Sequence, residues 1–273
     1  MNRKKKVLLS LFGFVALLLW ILWSEVLFVD RIKLNLLKNE AQKIRIALVT
    51  DLHSCRYGKN QRTLIQKIDN EKVDFVILAG DIFDDKIPDD NAKILIEDLV
   101  KKYPCYYVTG NHEFWSGRGN EMKDYLRAAG VNVLAGEAKT LILNNFAIDI
   151  CGVDDPFFVN EAEWKNQLDS AFGATEKSHF KILVTHRPER IKIYEQYDFD
   201  LILAGHAHAG QVRIPFFNRG LFAPNQGFWA KYVNGPYQLS NGSVMEVSRG
   251  LARESTPLPR FFNHPQLVIL DIE

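Results

Sequence analysis

Cysteine is scarce in this chain of 273 residues, and its scarcity excludes two kinds of site. The three cysteines, Cys55, Cys105 and Cys151, are far apart and form no C-x-x-C pair. An odd and scattered set of this kind excludes a disulfide framework and a zinc site built on cysteine. The sequence also contains no internal repeat and no low-complexity tract.

An excess of charge of either sign is also missing. The chain has 34 Lys and Arg residues against 33 Asp and Glu residues, which leaves a formal net charge of +1. Without a basic excess, we expect no nucleic-acid partner, and no sequence feature indicates an obligate protein partner. Hydrophobic residues make up 47% of the chain, which suits one catalytic domain of about 230 residues behind an apolar N-terminus.

One long apolar run stands at the N-terminus. A basic segment, residues 2–6, precedes seventeen uncharged residues, 7–23, which as a helix would span about 26 Å of a hydrocarbon core of about 30 Å. Trp20 and Trp23 lie at its far end, where indole rings favour the membrane interface. We predict a transmembrane signal anchor in residues 1–29, rather than a cleaved signal peptide, because no small-x-small cleavage site follows.

Basic residues flank this run on both sides. Four precede it, and four follow within twenty residues, namely Arg31, Lys33, Lys38 and Lys43. The tighter cluster before the run predicts a cytoplasmic N-terminus, with the catalytic domain on the extracytoplasmic side of a single-pass membrane protein. Residues 30–43 are then a linker, and residues 44–273 form the catalytic domain.

Polar side chains follow three apolar segments that read as buried strands. Strand 44–49 is followed by Asp51 and His53, strand 73–78 by Asp81 and Asp84, and strand 105–108 by Asn111 and His112. Helical patterns separate the strands, so the order strand–helix–strand–helix–strand predicts a parallel sheet with right-handed crossovers. Ligands bind at the carboxyl edge of such a sheet, where we expect all these side chains to meet.

Two later strands repeat the pattern. Strand 181–184 is followed by His186, and strand 201–204 is followed by His206 and His208. Five of the seven histidines therefore follow strands, whereas His179 and His264 do not and are interpreted as structural. Two carboxylates, four imidazoles and one amide oxygen suit two borderline divalent ions such as Mn²⁺, Fe²⁺ or Zn²⁺. Such a site attracts a phosphate ester.

The motif order D-x-H, G-D-x-x-D, G-N-H-E, H and G-H-x-H, within residues 44–208, resembles the calcineurin-like metallophosphoesterases. The resemblance implies a four-layer α/β/β/α sandwich in which the Asp81 carboxylate bridges two metal ions. It further implies that His112 is the general acid, oriented by Asp84. The implied ligands are Asp51, His53 and His208 for one ion, and Asn111, His186 and His206 for the other.

Departures from the family pattern narrow the subclass. Serine/threonine protein phosphatases carry arginines where this chain has Thr109 and Asp85-Lys86, so a protein phosphatase is not expected. The G-H-x-H-x-G-Q segment, residues 205–211, and the S-R-G segment at 248–250 resemble a membrane-anchored bacterial branch. That likeness implies the bacterial inner membrane, and a second phosphate bound by Arg249 or Arg260, although structural arginines are an equal alternative.

The predicted function is hydrolysis of a phosphodiester or pyrophosphate, in which a metal-bound hydroxide attacks phosphorus. Asn111, His112 and Arg249 are the predicted substrate-binding residues. A lipid-linked or envelope substrate is expected, with a UDP-2,3-diacylglucosamine-type precursor as one candidate implied by the resemblance. The aromatic loop at 216–229 is either ordinary core or a lipid contact. The alternative function is a non-catalytic, metal-binding scaffold for protein interaction at the membrane.

Overall fold

The structure is a computed structural model that describes residues 3–22, 26–37, 42–213, 219–253 and 260–273. Its centre is two six-stranded mixed sheets that pack face to face. Trp23, the 216–217 part of the aromatic loop and residues 254–259 lie outside the described residues.

The first sheet has the strand order β1-β14-β2-β3-β4-β5. Strands β2 to β5 run parallel, whereas β14 is parallel to β1 and antiparallel to β2. The strand bounds are β1 Phe28–Leu34, β2 Ile44–Val49, β3 Phe75–Ala79, β4 Cys105–Val108, β5 Asn132–Val133 and β14 Gln266–Ile272. Every residue of β3 and β4 is buried, which explains why these strands are apolar without a polar face.

The second sheet has the order β12-β13-β9-β8-β7-β6. Its four central strands are parallel, and β6 and β12 are antiparallel edges. The bounds are β6 Glu137–Leu143, β7 Phe146–Gly152, β8 Phe180–Val184, β9 Leu201–Ala204, β12 Gly235–Gln238 and β13 Val244–Val247. Asn144 and Asn145, both with positive φ, form the tight turn between β6 and β7 that the sequence predicts. A small hairpin, β10 Gly220–Ala223 and β11 Gly227–Ala230, stands apart from both sheets.

Helices cover the outer face of each sheet. The helix bounds are α1 Arg3–Leu22, α2 Arg62–Glu71, α3 Asp90–Leu99, α4 Asn111–Trp115, α5 Gly119–Ala129, α6 Glu161–Gly173 and α7 Ile191–Tyr194. Helix α1 takes no part in this cover, because its described side chains are exposed. Leu64, Leu95 and Leu126, from α2, α3 and α5, pack on the first sheet. Trp164 and Leu168 of α6 pack on the second. Apolar residues from both sheets meet in a separate core between them, which completes the predicted α/β/β/α layers.

The N-terminal helix corrects the prediction for membrane localisation. In the part of the chain that the structure describes, no helix is long and apolar enough to cross a membrane. Helix α1 begins with four basic residues, so only residues 7–22 are uncharged, and they span about 24 Å against a hydrocarbon core of about 30 Å. The predicted single-pass membrane protein with an extracytoplasmic domain is therefore wrong.

Strand β1 lies where the sequence indicates the end of an anchor and a linker. Its seven residues pair with β14 from Phe28↔Gln266 to Leu34↔Ile272. Three of them, Asp30, Arg31 and Lys33, are charged, and the exposed and half-buried positions are typical of an edge strand. The first sheet therefore extends beyond the predicted domain start at residue 44.

Candidate metal centre

Seven predicted ligands follow strands at one edge of the two sheets. They are Asp51 and His53 after β2, Asp81 after β3, Asn111 at the start of α4, His186 after β8, and His206 and His208 after β9. The first four come from the first sheet and the last three from the second. Because parallel strands end at a common edge, the fold brings these distant segments together.

One cluster joins Asp51 and His53 of the first sheet to His208 of the second. The ligand atoms of these three residues lie within 4.8 Å of one another, and His208 Nε2 is 3.6 Å from Asp51 Oδ1. His53 Nε2 is buried and makes no hydrogen bond with any described residue. A carboxylate and two imidazoles around one point can hold a divalent cation.

A second cluster joins Asp81 to His186 and His206, again with ligand atoms within 4.8 Å. His186 Nε2 lies 3.1 Å from Asp81 Oδ2. His186 Nε2 and Asn111 Oδ1 are buried and find no hydrogen-bond partner among the described residues. Buried polar atoms are rarely left unpaired, so these atoms fit a role as metal ligands better than a packing defect.

Asp81 faces both clusters with one oxygen. Its Oδ2 lies 3.1 Å from His186 Nε2 and 3.7 Å from His53 Nε2. Its other oxygen, Oδ1, accepts the backbone N–H of His112 at 2.8 Å, which fixes the carboxylate. The donor set and its unpaired atoms therefore fit two divalent ions that share Asp81.

Three of the ligand imidazoles are held through their other ring nitrogen. The contacts are His53 Nδ1 to Asp84 Oδ2 at 2.9 Å, His186 Nδ1 to the Ala79 carbonyl at 2.9 Å, and His206 Nε2 to Asn225 Oδ1 at 2.9 Å. His206 Nε2 also lies 2.8 Å from the donor Arg187 Nη1, so the Asn225 contact does not assign its proton. Because an oxygen accepts, the contacting nitrogens of His53 and His186 carry the proton, and their opposite nitrogens keep their lone pairs. Such outer contacts are how proteins fix the tautomer of a metal-binding histidine.

The backbone is strained at the ligands themselves. Five ligands have φ in the left-handed region: Asp51 (50°), His53 (49°), Asp81 (51°), His206 (66°) and His208 (44°). Each such conformation costs on the order of 1 kcal/mol or more for a residue with a Cβ. Hydrogen bonds compensate, since Asp51 N–H donates to the Gly80 carbonyl and His53 N–H to the Asp81 carbonyl. Strain concentrated in this way is a mark of functional sites.

His112 contacts two carboxylates. Its Nδ1 is 2.6 Å from Asp85 Oδ1 and 3.4 Å from Asp84 Oδ2. Asp85 is thus nearer than the predicted partner, Asp84, whose closer imidazole is His53 at 2.9 Å. Burial lowers the pKa of His112, but hydrogen bonds and charges from Asp84, Asp81 and Asp85 outweigh it and raise that pKa to about 9. The imidazole therefore carries a proton at neutral pH.

The other ionisable groups of the site respond to burial in opposite ways. Burial raises the pKa of Asp51. It opposes ionisation of Asp81 too, but electrostatic and hydrogen-bond interactions with the neighbouring imidazoles, first of all His186, hold the pKa of Asp81 well below its usual range. Burial lowers the pKa of His206 and His208, which favours the neutral imidazole that binds metal.

Glu113 has a role that the sequence reasoning did not assign, although the residue stands in the G-N-H-E motif. Its buried carboxylate accepts four backbone N–H groups, from Asp81, Ile82, Phe83 and Gly110, at 2.8 to 3.1 Å. Burial raises the pKa of Glu113 to about 7. The side chain ties the segment after β3 to the start of α4, and so sets the distance between Asp81 and Asn111.

Two glycines leave room for the Asp51 side chain. A Cβ on Gly205 would lie 2.6 Å from Asp51 Oδ2, and one on Gly250 would lie 2.6 Å from Asp51 Cβ. Gly250 also has φ +73°, which a side chain rarely adopts. The G-H-x-H and S-R-G segments therefore both serve the position of this ligand.

A cavity of about 450 Å³ opens onto the two clusters. It is lined by Asp81, Asn111, His112, His206 and His208, together with Arg187, Asn225 and Gln211 and the apolar side chains of Trp115, Phe157 and Phe222.

Arg187 and Asn225 were not predicted as site residues. The buried Arg187 guanidinium pairs with Asp155 and donates from Nη1 to Asn225 Oδ1 at 2.5 Å, next to His206. Its place directly after His186 was the only sequence signal.

The predicted substrate residue Arg249 does not reach this cavity. Among the described residues, its Nη2 lies 3.7 Å from Asp30 Oδ2, and it is absent from the cavity lining. Arg260 is buried and donates to the carbonyls of Ala252 and Arg249, with Nη2 3.4 Å from His208 Nδ1. Asn111 and His112 do line the cavity, whereas the side chain of Arg249, which follows β13, lies near Asp30 of the edge strand β1.

Several proteins of similar sequence are described as metallophosphoesterases. A metallophosphoesterase of Campylobacter jejuni, described as uncharacterised, is 31% identical over 86% of this chain and 60% of its own length. One from Aquifex aeolicus is 30% identical over 85% of each chain. Phosphodiesterase YaeI of Escherichia coli is 26% identical over 78% of this chain and 76% of its own. The chain spans about 60% of the length of the curated relatives from Helicobacter and Campylobacter.

Solved structures agree in fold. NAD nucleotidase of Haemophilus influenzae superposes with a TM-score of 0.52 at 15% identity, covering 78% of this chain and 46% of its own. A 5′-nucleotidase precursor of Thermus thermophilus gives 0.51 at 13% identity, covering 78% and 50%. The family model for calcineurin-like phosphoesterases matches residues 44–210, the segment that contains all seven predicted ligands. With this match over more than half of its length, the chain belongs to the calcineurin-like phosphoesterase family.

Proposed function

We propose that this protein is a dinuclear metal-dependent hydrolase of phosphoesters or phosphoanhydrides. The observation that carries the proposal is the pair of ligand clusters that share Asp81, with His112 beside them in the same cavity. Two divalent ions, when bound there, supply positive charge for the phosphoryl oxygens and activate water as the nucleophile. Asp51, His53 and His208 would hold one ion, and Asn111, His186 and His206 the other, with Asp81 between them.

His112 supplies the proton for the leaving oxygen in this proposal. In the metal-free site the carboxylates of Asp84, Asp81 and Asp85 raise the pKa of His112 to about 9, which favours the protonated imidazole, and the contact of Nδ1 with Asp85 leaves Nε2 as the donor to substrate. After bond cleavage the carboxylates of Asp85 and Asp84 favour reprotonation of the ring. The N–H of His112, bound to Asp81 Oδ1, keeps the general acid in register with the shared ligand.

The favoured substrate class is a phosphodiester or pyrophosphate. Apolar side chains line the outer cavity, so a substrate with an apolar substituent beyond the phosphoryl group would fit it better than a small monoester. The similarity to phosphodiesterase YaeI of E. coli supports the same class. A lipid-linked pyrophosphate of the UDP-2,3-diacylglucosamine type remains one proposal within it, supported by family resemblance.

Turnover of bis-p-nitrophenyl phosphate with added Mn²⁺ tests the proposal. Wild-type protein is expected to hydrolyse the diester, and Asp81→Ala to lose most of the activity. His112→Ala should lose less activity with this good leaving group than with an alkyl phosphodiester, whose leaving oxygen needs a proton. Elemental analysis should find two ions per wild-type molecule. If all three proteins have equal rates, the protein is a metal-binding scaffold rather than an enzyme. A parallel panel of nucleotide diesters, lipid-linked pyrophosphates and monoesters would rank the substrate classes.

A further inference from the structure

Three large aromatic side chains stand unburied around the metal cavity. Trp115, Phe157 and Phe222 all line it, and they are 52%, 45% and 48% exposed. Exposure of an aromatic ring to water is not favourable in free energy. Aromatic rings that line one cavity are typical of a ligand-binding site.

Trp115 is fixed on the general-acid side of the cavity. Helix α4 starts at Asn111 and ends at Trp115, so one short helix carries a metal ligand, His112 and this indole. The indole ring centroid lies 4.8 Å from the His112 ring. A group that takes a proton from His112 therefore leaves next to Trp115.

Phe157 lies beside Trp115, and together the two rings form what we call the aromatic wall of the cavity. The Phe157 ring has neighbours on two further sides. Its ring centroid is 5.9 Å from that of Trp115, and Phe114 stacks on it at 6.0 Å. The guanidinium of Arg187 lies 4.9 Å from its centroid, and Asp155 fixes that guanidinium. The wall is thus present before a ligand binds, because each ring already has a fixed neighbour.

We infer that Trp115 and Phe157 form a subsite for an aromatic leaving group of the phosphoester substrate. The inference rests on the proposed function and adds the chemical class of the departing group. An aromatic ring would pack against the tilted Trp115–Phe157 pair while its ester oxygen faces His112. Aromatic pairs gain stabilisation beyond the area they bury, so an aliphatic group of equal size should bind less well.

Binding of simple phosphonates to the Mn²⁺-loaded protein distinguishes the contribution of the aromatic wall to affinity from that of the metal centre. Phenylphosphonate, cyclohexylphosphonate and methylphosphonate present the same anion with different substituents, and calorimetry gives each Kd. We expect phenylphosphonate to bind about tenfold tighter than methylphosphonate, a ratio that corresponds to about 1.4 kcal/mol. Cyclohexylphosphonate should fall between the two.

Variants at the wall complete the experiment. Trp115→Ala should reduce the phenyl-to-methyl preference to about twofold or less, and Trp115→Phe should keep most of it. Trp229→Ala removes an indole of similar exposure, 56%, outside the described cavity lining, and should leave the preference unchanged. Thermal melts check that each variant is folded, and Phe157→Leu provides a second, independent change in the wall.

The outcomes distinguish this inference from the proposed function. If methylphosphonate binds in a metal-dependent way but phenylphosphonate binds no tighter, the subsite is wrong and the metal centre stands. If cyclohexylphosphonate binds as tightly as phenylphosphonate, the subsite is not aromatic-selective and the inference fails. If no phosphonate binds with or without metal, both the subsite and the hydrolase proposal fail.

Discussion

Two neighbouring carboxylates, Asp84 and Asp85, hold different imidazoles of the site. Asp84 Oδ2 is 2.9 Å from His53 Nδ1, and Asp85 Oδ1 is 2.6 Å from His112 Nδ1. One carboxylate therefore orients a proposed metal ligand, while its neighbour orients the proposed general acid. The Asp84 side chain is buried and also accepts the N–H groups of Lys86 and Ile87, so it cannot swing toward His112 without losing them.

This division predicts different losses for two matched substitutions. Asp85→Asn should slow alkyl phosphodiesters about 10-fold to 100-fold, because their leaving oxygen needs a proton, and should slow p-nitrophenyl esters much less. Asp84→Asn should instead weaken metal binding by about 10-fold to 100-fold, because it releases His53. Steady-state rates and metal titration measure the two effects. Equal leaving-group dependence in both variants would contradict separate roles.

Replacement of Glu113 should lower the stability of the fold, although this residue has no direct role in the proposed chemistry. Glu113→Gln replaces one acceptor oxygen by an NH₂ group that faces two backbone N–H donors. We expect the free energy of unfolding to fall by about 3 kcal/mol, the cost of leaving such donors unpaired. Urea unfolding of the metal-free protein measures this. Glu121→Gln, at an exposed position of α5, is the control and should change stability by less than about 0.5 kcal/mol.

Strands place the ligands, and their sequence made them predictable. The bounds 44–49, 105–108 and 201–204 are confirmed, because each is a short, largely apolar run in which nearly every residue is buried. Strand β1 was missed since it carries charges and pairs with a partner more than 230 positions away. Pairing over such a distance leaves no local signal in either segment.

Strand β13 carries an acidic residue into the layer between the two sheets. Glu246 is fully buried, and neither carboxylate oxygen finds a hydrogen-bond partner among the described residues. Burial raises the pKa of Glu246 well above its ordinary value of 4.5, and Asp30 raises it further. The folded protein therefore holds this proton more tightly than the unfolded chain does. Its contribution to stability is present below about pH 4.5 and is lost as the pH rises toward the folded pKa.

Glu246→Gln should remove this pH dependence. At pH 8 the variant is expected to melt at least about 3 °C above the wild type, the shift that about 1 kcal/mol produces in a domain of this size. Near pH 4.5 the two proteins should melt together, because Glu246 is then protonated. Thermal melts between pH 4.5 and 8 measure the difference. Glu137→Gln, on an exposed position of β6, should show no such pH-dependent difference.

At the scale of the whole molecule, each ligand cluster draws on both sheets. Asp51 and His53 of the first sheet meet His208 of the second, and Asp81 of the first meets His186 and His206 of the second. Any ion held there fastens the two sheets to one another at this edge. The rest of their contact is the apolar layer between them.

Metal removal should therefore lower global stability. With each free ion at about a hundred times its Kd, binding to the folded state alone adds about 2.7 kcal/mol per site. Chelation with EDTA should lower the Tm by several degrees, and added Mn²⁺ should restore it. Asp81→Ala serves as the control, since its Tm is expected to respond little to either reagent. A wild-type Tm that ignores chelation would count against ions between the sheets.

The residues that surround the proposed ligands could not be predicted from the sequence. The ligands follow strands, so the order of elements suffices to bring them to one edge. Arg187, Asn225 and the choice between Asp84 and Asp85 depend on how loops turn after the strands, and five ligands turn through left-handed conformations. The extent of the apolar N-terminal run was visible, but the length of uncharged helix fell short of a membrane span.

Strand β14 has a consequence for how the protein is made. It lies between β1 and β2, so residues 266–272 fill a gap between segments that the ribosome releases more than two hundred residues earlier. Until residue 272 has emerged, β1 has no partner and β2 has an open edge, which neighbouring nascent chains could occupy. The first sheet therefore stays incomplete until translation ends. Protection of the open edge of β2 from other chains during that time should determine the yield of folded protein.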